Sequence, residues 1–175
     1  EHNRKNATLV IVAMKHMGED AEEFEIYQAI NSFPGSGRRF EQLAENLYSD
    51  YGHHPVEIQA TLQMAKELSN DVVLVYQPHQ NVRQHEIIGQ YTDDIFRNAN
   101  EIYWLPTYLT RENPDLSTLT PQQLAKNIDK EKVHFAELDD SLWQEITEAR
   151  NSGKLILCMG AGTIDGWIRE QLFKN

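Results

Sequence analysis

The chain has a single cysteine, Cys158, in 175 residues, so no internal disulfide can form. Because Cys158 lies inside an apolar run, a reducing, cytosolic setting is the simpler expectation. No stretch approaches the roughly 20 apolar residues that span a bilayer, and the opening Glu1-His2-Asn3-Arg4 lacks the apolar core of a signal peptide. Basic residues are scarce. Sixteen Lys and Arg against 27 Asp and Glu give a formal net charge of −11, which repels a polyphosphate backbone. Neither nucleic acid nor membrane is an expected partner. A G-x-x-x-x-G-K-[ST] loop is missing, and with it the usual cradle and lysine for triphosphate chemistry. G-x-S-x-G is missing too, and Cys158 is poorly placed as a nucleophile, so a self-contained hydrolase is hard to build.

What is present suits one globular domain. Forty per cent of residues are hydrophobic and 25% charged, with nine glycines and six prolines. The chain opens on glutamate and enters a patterned segment almost at once, which leads us to expect a piece of a longer protein.

Ala7, Val10, Met14 and Met17 recur at helical spacing up to Gly18. Asp20 and Glu23 read as a capping box for a second helix that would bury Phe24, Tyr27 and Ile30 and break at Pro34-Gly35-Ser36-Gly37. One or two short strands are expected over 40–51, then a helix with Pro55 in its first turn and Ile58, Leu62 and Ala65 inward. Residues 71–76 and 154–159 are continuous apolar runs, the pattern of strands covered on both faces. Between them the spacing predicts a helix over 83–97, a strand over 101–105, a short helix after Pro121, a strand at 133–135 and a helix over 141–152 ended by Gly153. A last helix carries Ile164, Trp167, Ile168 and Leu172. This alternation predicts an α/β domain with a doubly wound, mostly parallel sheet and helices on both faces. In such sheets ligands meet the loops beyond the carboxyl ends of the strands, here those after Tyr48, Tyr76 and Met159.

Two of these loops are rich in reactive groups. Asp50-Tyr51-Gly52-His53-His54-Pro55 sets a carboxylate, a phenol and two imidazoles before a helix start, where free amides favour anions. Metal binding is one use of paired histidines, but adjacent side chains rarely converge on one ion and no zinc-type spacing accompanies them. The plainer use is that one histidine caps the helix and the other faces solvent. Gln77-Pro78-His79-Gln80-Asn81-Val82-Arg83 follows the strongest strand. Arg83 can hold a carboxylate or phosphate through two parallel bonds, or be an ordinary surface arginine. Gly35-Ser36-Gly37-Arg38-Arg39 offers a turn beside two guanidinium groups, and Gly160-Ala161-Gly162 is explained as well by tight strand-to-helix packing as by nucleotide binding.

In their order, His2-Asn3-Arg4-Lys5-Asn6-Ala7, Arg38-Arg39-Phe40-Glu41, Y-G-H-H-P at residues 51–55, Q-P-H at residues 77–79 with Arg83, and Met159-Gly160-Ala161-Gly162 resemble the C-terminal domain of the Mur ligases. They lean toward the branch that joins L-alanine to UDP-N-acetylmuramate. The tripeptide-adding branch usually has phenylalanine where Tyr51 stands and E-P-R-S-N in place of Gln77-Pro78-His79. The resemblance implies a cytoplasmic, three-domain, ATP- and Mg2+-dependent ligase that activates a carboxylate as an acyl phosphate for attack by the amine. ATP and Mg2+ would be bound mainly by a central domain that this sequence lacks. Residues 1–33 would be the tail of that domain with connecting helices, and 34–175 the C-terminal domain, inactive alone.

Residue by residue, the resemblance puts Asn3 and Asn6 near the nucleotide, Asp50 on the ribose and Tyr51 beside the adenine. It puts His53 and Arg83 by the incoming alanine, Arg39 toward the phosphates, and no metal ligand in this chain. The sequence departs from the family at Ser49, where another acid is common, and at Gln84, where threonine is common; residues 107–112 match only loosely. A non-catalytic nucleotide-binding module that kept the fold, and a small metalloenzyme using His53, His54 and His79, are the competing expectations.

Overall fold

The structure, a computed structural model, describes residues 2–16, 23–33 and 35–174. The chain divides into two compact units, Glu1–Ser36 and Gly37–Asn175. The described residues of the first hold two helices, α1 (His2–His16) and α2 (Glu23–Ser32). The expectations that fall on Met17, Gly18, Asp20 and Pro34 lie outside the described residues. On α1, Ala7 and Met14 are half-buried but Val10 is exposed. On α2 the expected inward face needs correction: Phe24 and Tyr27 are exposed, whereas Ile26 is buried and Ile30 half-buried. Ile26 and Ile30 are one turn apart, and Ile26 stands about 200° round the helix from Phe24, so they define a different stripe from Phe24 and Tyr27.

The second unit is a six-stranded sheet in the order β1-β2-β6-β3-β4-β5. The strands are β1 (Glu41–Ala44), β2 (Leu47–Asp50), β3 (Val72–Tyr76), β4 (Glu101–Trp104), β5 (Val133–Phe135) and β6 (Leu155–Met159). Only the β1–β2 hairpin is antiparallel; β2–β6, β6–β3, β3–β4 and β4–β5 are parallel. The helices are α3 (Pro55–Leu68), α4 (Asn81–Ile87), α5 (Asp93–Phe96), α6 (Pro121–Leu124), α7 (Asp140–Asn151) and α8 (Ile164–Lys174).

Successive side chains on a strand point to opposite faces, so an apolar run supplies two cores. Val72, Leu74 and Tyr76 of β3 with Leu155, Leu157 and Met159 of β6 pack under Ile58, Leu62 and Ala65 of α3, Ile87 of α4, Phe96 of α5 and Leu124 of α6. Val73 and Val75 with Ile156 and Cys158 pack against Leu142 and Ile146 of α7 and Ile164 and Ile168 of α8. Helices therefore cover both faces, and the sheet is doubly wound as the alternation predicted.

The helix expected over 83–97 is instead three pieces: α4, a 3-10 turn at Ile88–Gln90, and α5. Gly89 weakens the helix there, and Tyr91 leaves it in an extended conformation, fully buried against Tyr76, Phe96 and Trp104.

Candidate functional site

The parallel register sets four strand ends level with one another. Asp50 pairs with Met159, Met159 with Tyr76, and Tyr76 with Trp104. The chain leaves these ends along a common rim. Backbone bonds tie it together: Gly160 N donates to Asp50 O at 3.0 Å, Gln77 N to Met159 O at 2.9 Å, and Leu105 N to Tyr76 O at 2.9 Å.

Pro55 occupies the first turn of α3, where its missing N–H has no partner to lose. His54 caps that helix: its Nδ1 accepts from Val56 N, while Glu57 Oε2 accepts from both His53 N (3.0 Å) and His54 N (3.1 Å). Burial raises the Glu57 carboxyl, but those two amides and the nearby His53 and Arg39 bring it below the usual carboxylate range. With His54 so used, His53 is left at the rim. Its ring lies 5.2 Å from that of His79 and 5.7 Å from that of Tyr51, and His79 in turn stacks on Tyr108 at 5.7 Å. The loops at residues 51–54 and 77–80, after β2 and β3, thus meet through His53 and His79, as the level strand ends require, whereas Arg83 lies beyond them on α4.

Asp50 is almost wholly buried. Its Oδ2 accepts from Phe40 N at 2.8 Å and its Oδ1 from Gly52 N at 2.7 Å. Burial pushes its carboxyl up, with the two amides and Arg39 opposing. A carboxylate offers about four acceptor positions, so two remain for a hydroxyl pair, and the group's chemistry fits a sugar diol. Tyr51 is half-buried with the guanidinium carbons of Arg38 and Arg39 over its ring at 4.7 and 5.5 Å. An aromatic ring beside two cations suits a flat, anionic ligand such as a nucleotide.

Arg39 is exposed. Arg38 is tied inward instead, donating to Gly160 O at 2.9 Å and pairing with Asp165 at 3.6 Å. Arg83 is exposed on α4 and paired with Glu86 at 2.8 Å. Its contacts are those of a surface arginine, one helical turn from the His79 loop. Asn3 and Asn6 lie three residues apart on α1, in the first unit, whereas the rim is built by the second.

At Ser49, where the sequence departs from the family, Ser49 Oγ donates to Asp165 Oδ1 at 2.6 Å, so an acid from α8 reaches this position. Two residues to which the sequence reading gave no role of their own also shape the rim. Glu112, in the segment following β4, accepts from Asn81 N (3.0 Å), Val82 N (3.2 Å) and Thr110 N (2.9 Å), and so anchors the start of α4. Gln77 is buried and joins the exits of β3 and β6: its Nε2 donates to Thr163 and its Oε1 accepts from Ile164 N. In the sequence Glu112 shows only as the end of the loosely matching stretch 107–112 and as an acidic side chain after a strand, which is too common to be diagnostic. Among the described residues no three His, Cys, Asp or Glu side chains assemble as a metal-holding group. Nor is any described helix long and apolar enough to cross a membrane. A separate groove of about 630 Å³, lined by Tyr103, His134, Glu137 and Glu145 among others, shares no residue with the rim.

The fold and the rim together define an α/β domain that offers polar loops at the carboxyl ends of a parallel sheet. Residues 38–162 match the family described as Mur ligase, glutamate ligase domain, and the chain belongs to that family. It is 32% identical over 174 residues to a protein of Jannaschia sp. (strain CCS1) named UDP-N-acetylmuramate--L-alanine ligase, covering 95% of this chain and 36% of that one. A protein of the same name from Rickettsia massiliae is 36% identical over 158 residues, covering 83% of this chain and 32% of that one. The chain therefore spans about a third of the length of these relatives. Among solved structures it resembles the UDP-N-acetylmuramate-alanine ligase of Thermotoga maritima, with a TM-score of 0.68 at 24% identity over 99% of this chain and 37% of that one. A bifunctional folylpolyglutamate synthase/dihydrofolate synthase of Yersinia pestis follows with a TM-score of 0.63 at 14% identity, covering 93% and 37%. At those identities the structures establish a shared fold.

Proposed function

We propose that this chain is the C-terminal part of an ATP-dependent ligase that joins L-alanine to UDP-N-acetylmuramate, and that its rim closes over reactants held by the rest of the protein. The observation that carries this reading is the meeting of the loops at residues 51–54 and 77–80 above level strand ends, with His53 and His79 in ring contact. The names of the relatives support the substrates, and Tyr51 with Gln77-Pro78-His79 favours alanine over a peptide as the incoming group.

In this reading residues 1–33 are the tail of the central ATPase domain, and residues 34–175 are the closing domain. Asn3 and Asn6 approach the nucleotide, Asp50 accepts from the ribose hydroxyls, and Tyr51 lies beside the adenine. ATP, with Mg2+ held mainly by the central domain, supplies the phosphoryl group that activates the sugar acid's carboxylate. Arg39 meets the phosphates at closure, whereas Arg38 is already committed to Gly160 and Asp165. His53 and Arg83 take the alanine carboxylate, which leaves the amine directed at the activated carbon. Arg83 would exchange its exposed Glu86 partner for that carboxylate, a small cost because exposed pairs contribute little. A cytoplasmic location goes with this activity.

The experiment is steady-state kinetics on the full-length protein. Arg83→Ala should raise the apparent KM for L-alanine at least about tenfold, the equivalent of one charge-assisted hydrogen bond, and leave the KM for ATP near its original value. Normal apparent affinity for L-alanine in that variant would overturn the role given to Arg83. Retention of full activity by this chain alone would overturn the reading as a whole.

A further inference from the structure

A buried row of oxygen atoms connects the two loops of the rim from beneath. The Tyr76 hydroxyl is 2.8 Å from the His53 carbonyl oxygen and 2.8 Å from the Tyr91 hydroxyl. The Tyr91 hydroxyl is 2.7 Å from Gln84 Oε1, and Gln84 Nε2 donates to the His79 carbonyl at 2.9 Å. Tyr76, Tyr91 and Gln84 are each fully buried.

There are too few hydrogens for these contacts. The His53 carbonyl and Gln84 Oε1, at the two ends, can only accept. Between them stand three oxygen–oxygen contacts and two phenols, which bring two hydrogens. Burial pushes both phenols above their ordinary range, so both hydrogens stay in place. If both phenols donate outward, their oxygens face each other at 2.8 Å with lone pairs alone. Two arrangements avoid this. In one, Tyr91 donates to Tyr76 and Tyr76 to His53, leaving Gln84 Oε1 without a donor. In the other, Tyr76 donates to Tyr91 and Tyr91 to Gln84, leaving the His53 carbonyl free. Each has two hydrogen bonds.

We propose that Tyr76, Tyr91 and Gln84 are positioning residues forming a latch that is one hydrogen short, so that the loop bearing His53 can detach from the sheet without a net loss of hydrogen bonds. When the loop lifts, the Tyr76 hydrogen turns onto Tyr91 and the His53 carbonyl is solvated. When it returns, the hydrogens shift back. The device gives the His53 loop freedom to close over a reactant while Gln84 keeps hold of the His79 loop. Its use in closure rests on the ligase reading; the latch itself does not.

The test is amide hydrogen exchange on the unliganded 175-residue chain, read at His53 and His54, whose N–H groups both bond to Glu57 and so report on this loop. Rates are referred to the amides of β6, the buried strand between β2 and β3. Tyr91→Phe removes the competitor for the Tyr76 hydrogen, and Gln84→Leu removes the acceptor for the Tyr91 hydrogen and so turns Tyr91 into a donor to Tyr76; each commits the Tyr76 hydrogen to His53, so exchange at His53 and His54 should slow by about three- to tenfold. Tyr76→Phe removes the anchor and should speed it by a similar factor. A merely structural role predicts faster exchange in all three variants. Faster or unchanged exchange in both Tyr91→Phe and Gln84→Leu, or failure of both to fold, would overturn the latch. Because no substrate is present, that failure would leave the ligase reading standing, and loss of the ligase reading would leave these rates unchanged.

Discussion

The imidazole rings of His53 and His79 are 5.2 Å apart at an interplanar angle of 57°. They reach this distance because β2 and β3 flank β6 in register, so the loops leaving both strands rise from one level. Neither ring is placed by its own loop alone. The His53 loop is held through Glu57 and Tyr76, and the His79 loop through Tyr108 and Gln84. The pair therefore senses changes on either side of the sheet's rim.

Burial, with the positive charges of His53 and Arg111, holds the His79 imidazole below its ordinary range, while Glu112 opposes the shift. The folded chain takes up this proton less readily than the unfolded one. Its contribution to stability is present above about pH 6.5 and is lost as pH falls through the lower folded value. Titration followed by NMR should place His79 below about 6.5, with His53→Ala moving it up and Glu112→Gln moving it further down. A midpoint at or above the ordinary histidine value would contradict the burial argument.

Two glycines should respond in opposite ways. A Cβ on Gly162 would lie 2.5 Å from Gln77 Oε1 and 2.6 Å from Tyr108 Cβ, whereas one on Gly166 meets nothing within 4 Å. Gly162→Ala should lower stability by about 1–3 kcal/mol. Gly166→Ala, on an exposed turn of α8, should raise it by up to about 1 kcal/mol. Urea unfolding of the two variants side by side settles both signs.

Asp165 collects Ser49 Oγ at 2.6 Å, Arg169 at 3.1 Å and Arg38 at 3.6 Å. Burial raises its carboxyl, but Ser49 and Arg169 bring it below the ordinary range; Glu41 is lowered chiefly by its bond from Arg169. Both carboxyls are depressed, so the stability they contribute is full above their ordinary values of 3.8 and 4.5 and is lost as pH falls through the folded ones. Asp165→Ala should cost about 2 kcal/mol near neutral pH. The variant's unfolding midpoint should also fall less steeply than the parent's on acidification below about pH 4.5.

Cys158 is buried on β6, and burial pushes its thiol up to about 12. The folded chain should resist thiol-specific reagents at about pH 8, below even a free thiol's usual value, and release one equivalent of reactivity on unfolding. Rapid labelling of the native chain would show that β6 opens locally.

Much of the fold was legible because its signals are local. The apolar runs at 71–76 and 154–159 mark two-faced strands, Pro55 marks a helix start, and Gly153 ends α7 with a φ of +88°. The face of α2 was not legible, since Phe24, Ile26, Tyr27 and Ile30 are all apolar and the sequence carries no sign of which stripe finds a neighbour. Nor was the break at Tyr91, which leaves its helix to reach the aromatic cluster around Trp104.

The candidate site divides in the same way. The sequence by itself determined which reactive side chains stand after strands and before helices, because those positions follow from hydrophobic periodicity and from the backbone demands of proline and glycine. Only the tertiary structure decided that His53 would meet His79, that His54 would be used as a cap, and that both Asp50 oxygens would take backbone amides. The physical reason is that strand register and the pairing of buried polar groups are set between segments distant in the chain, where no local pattern records which partner a given side chain will find.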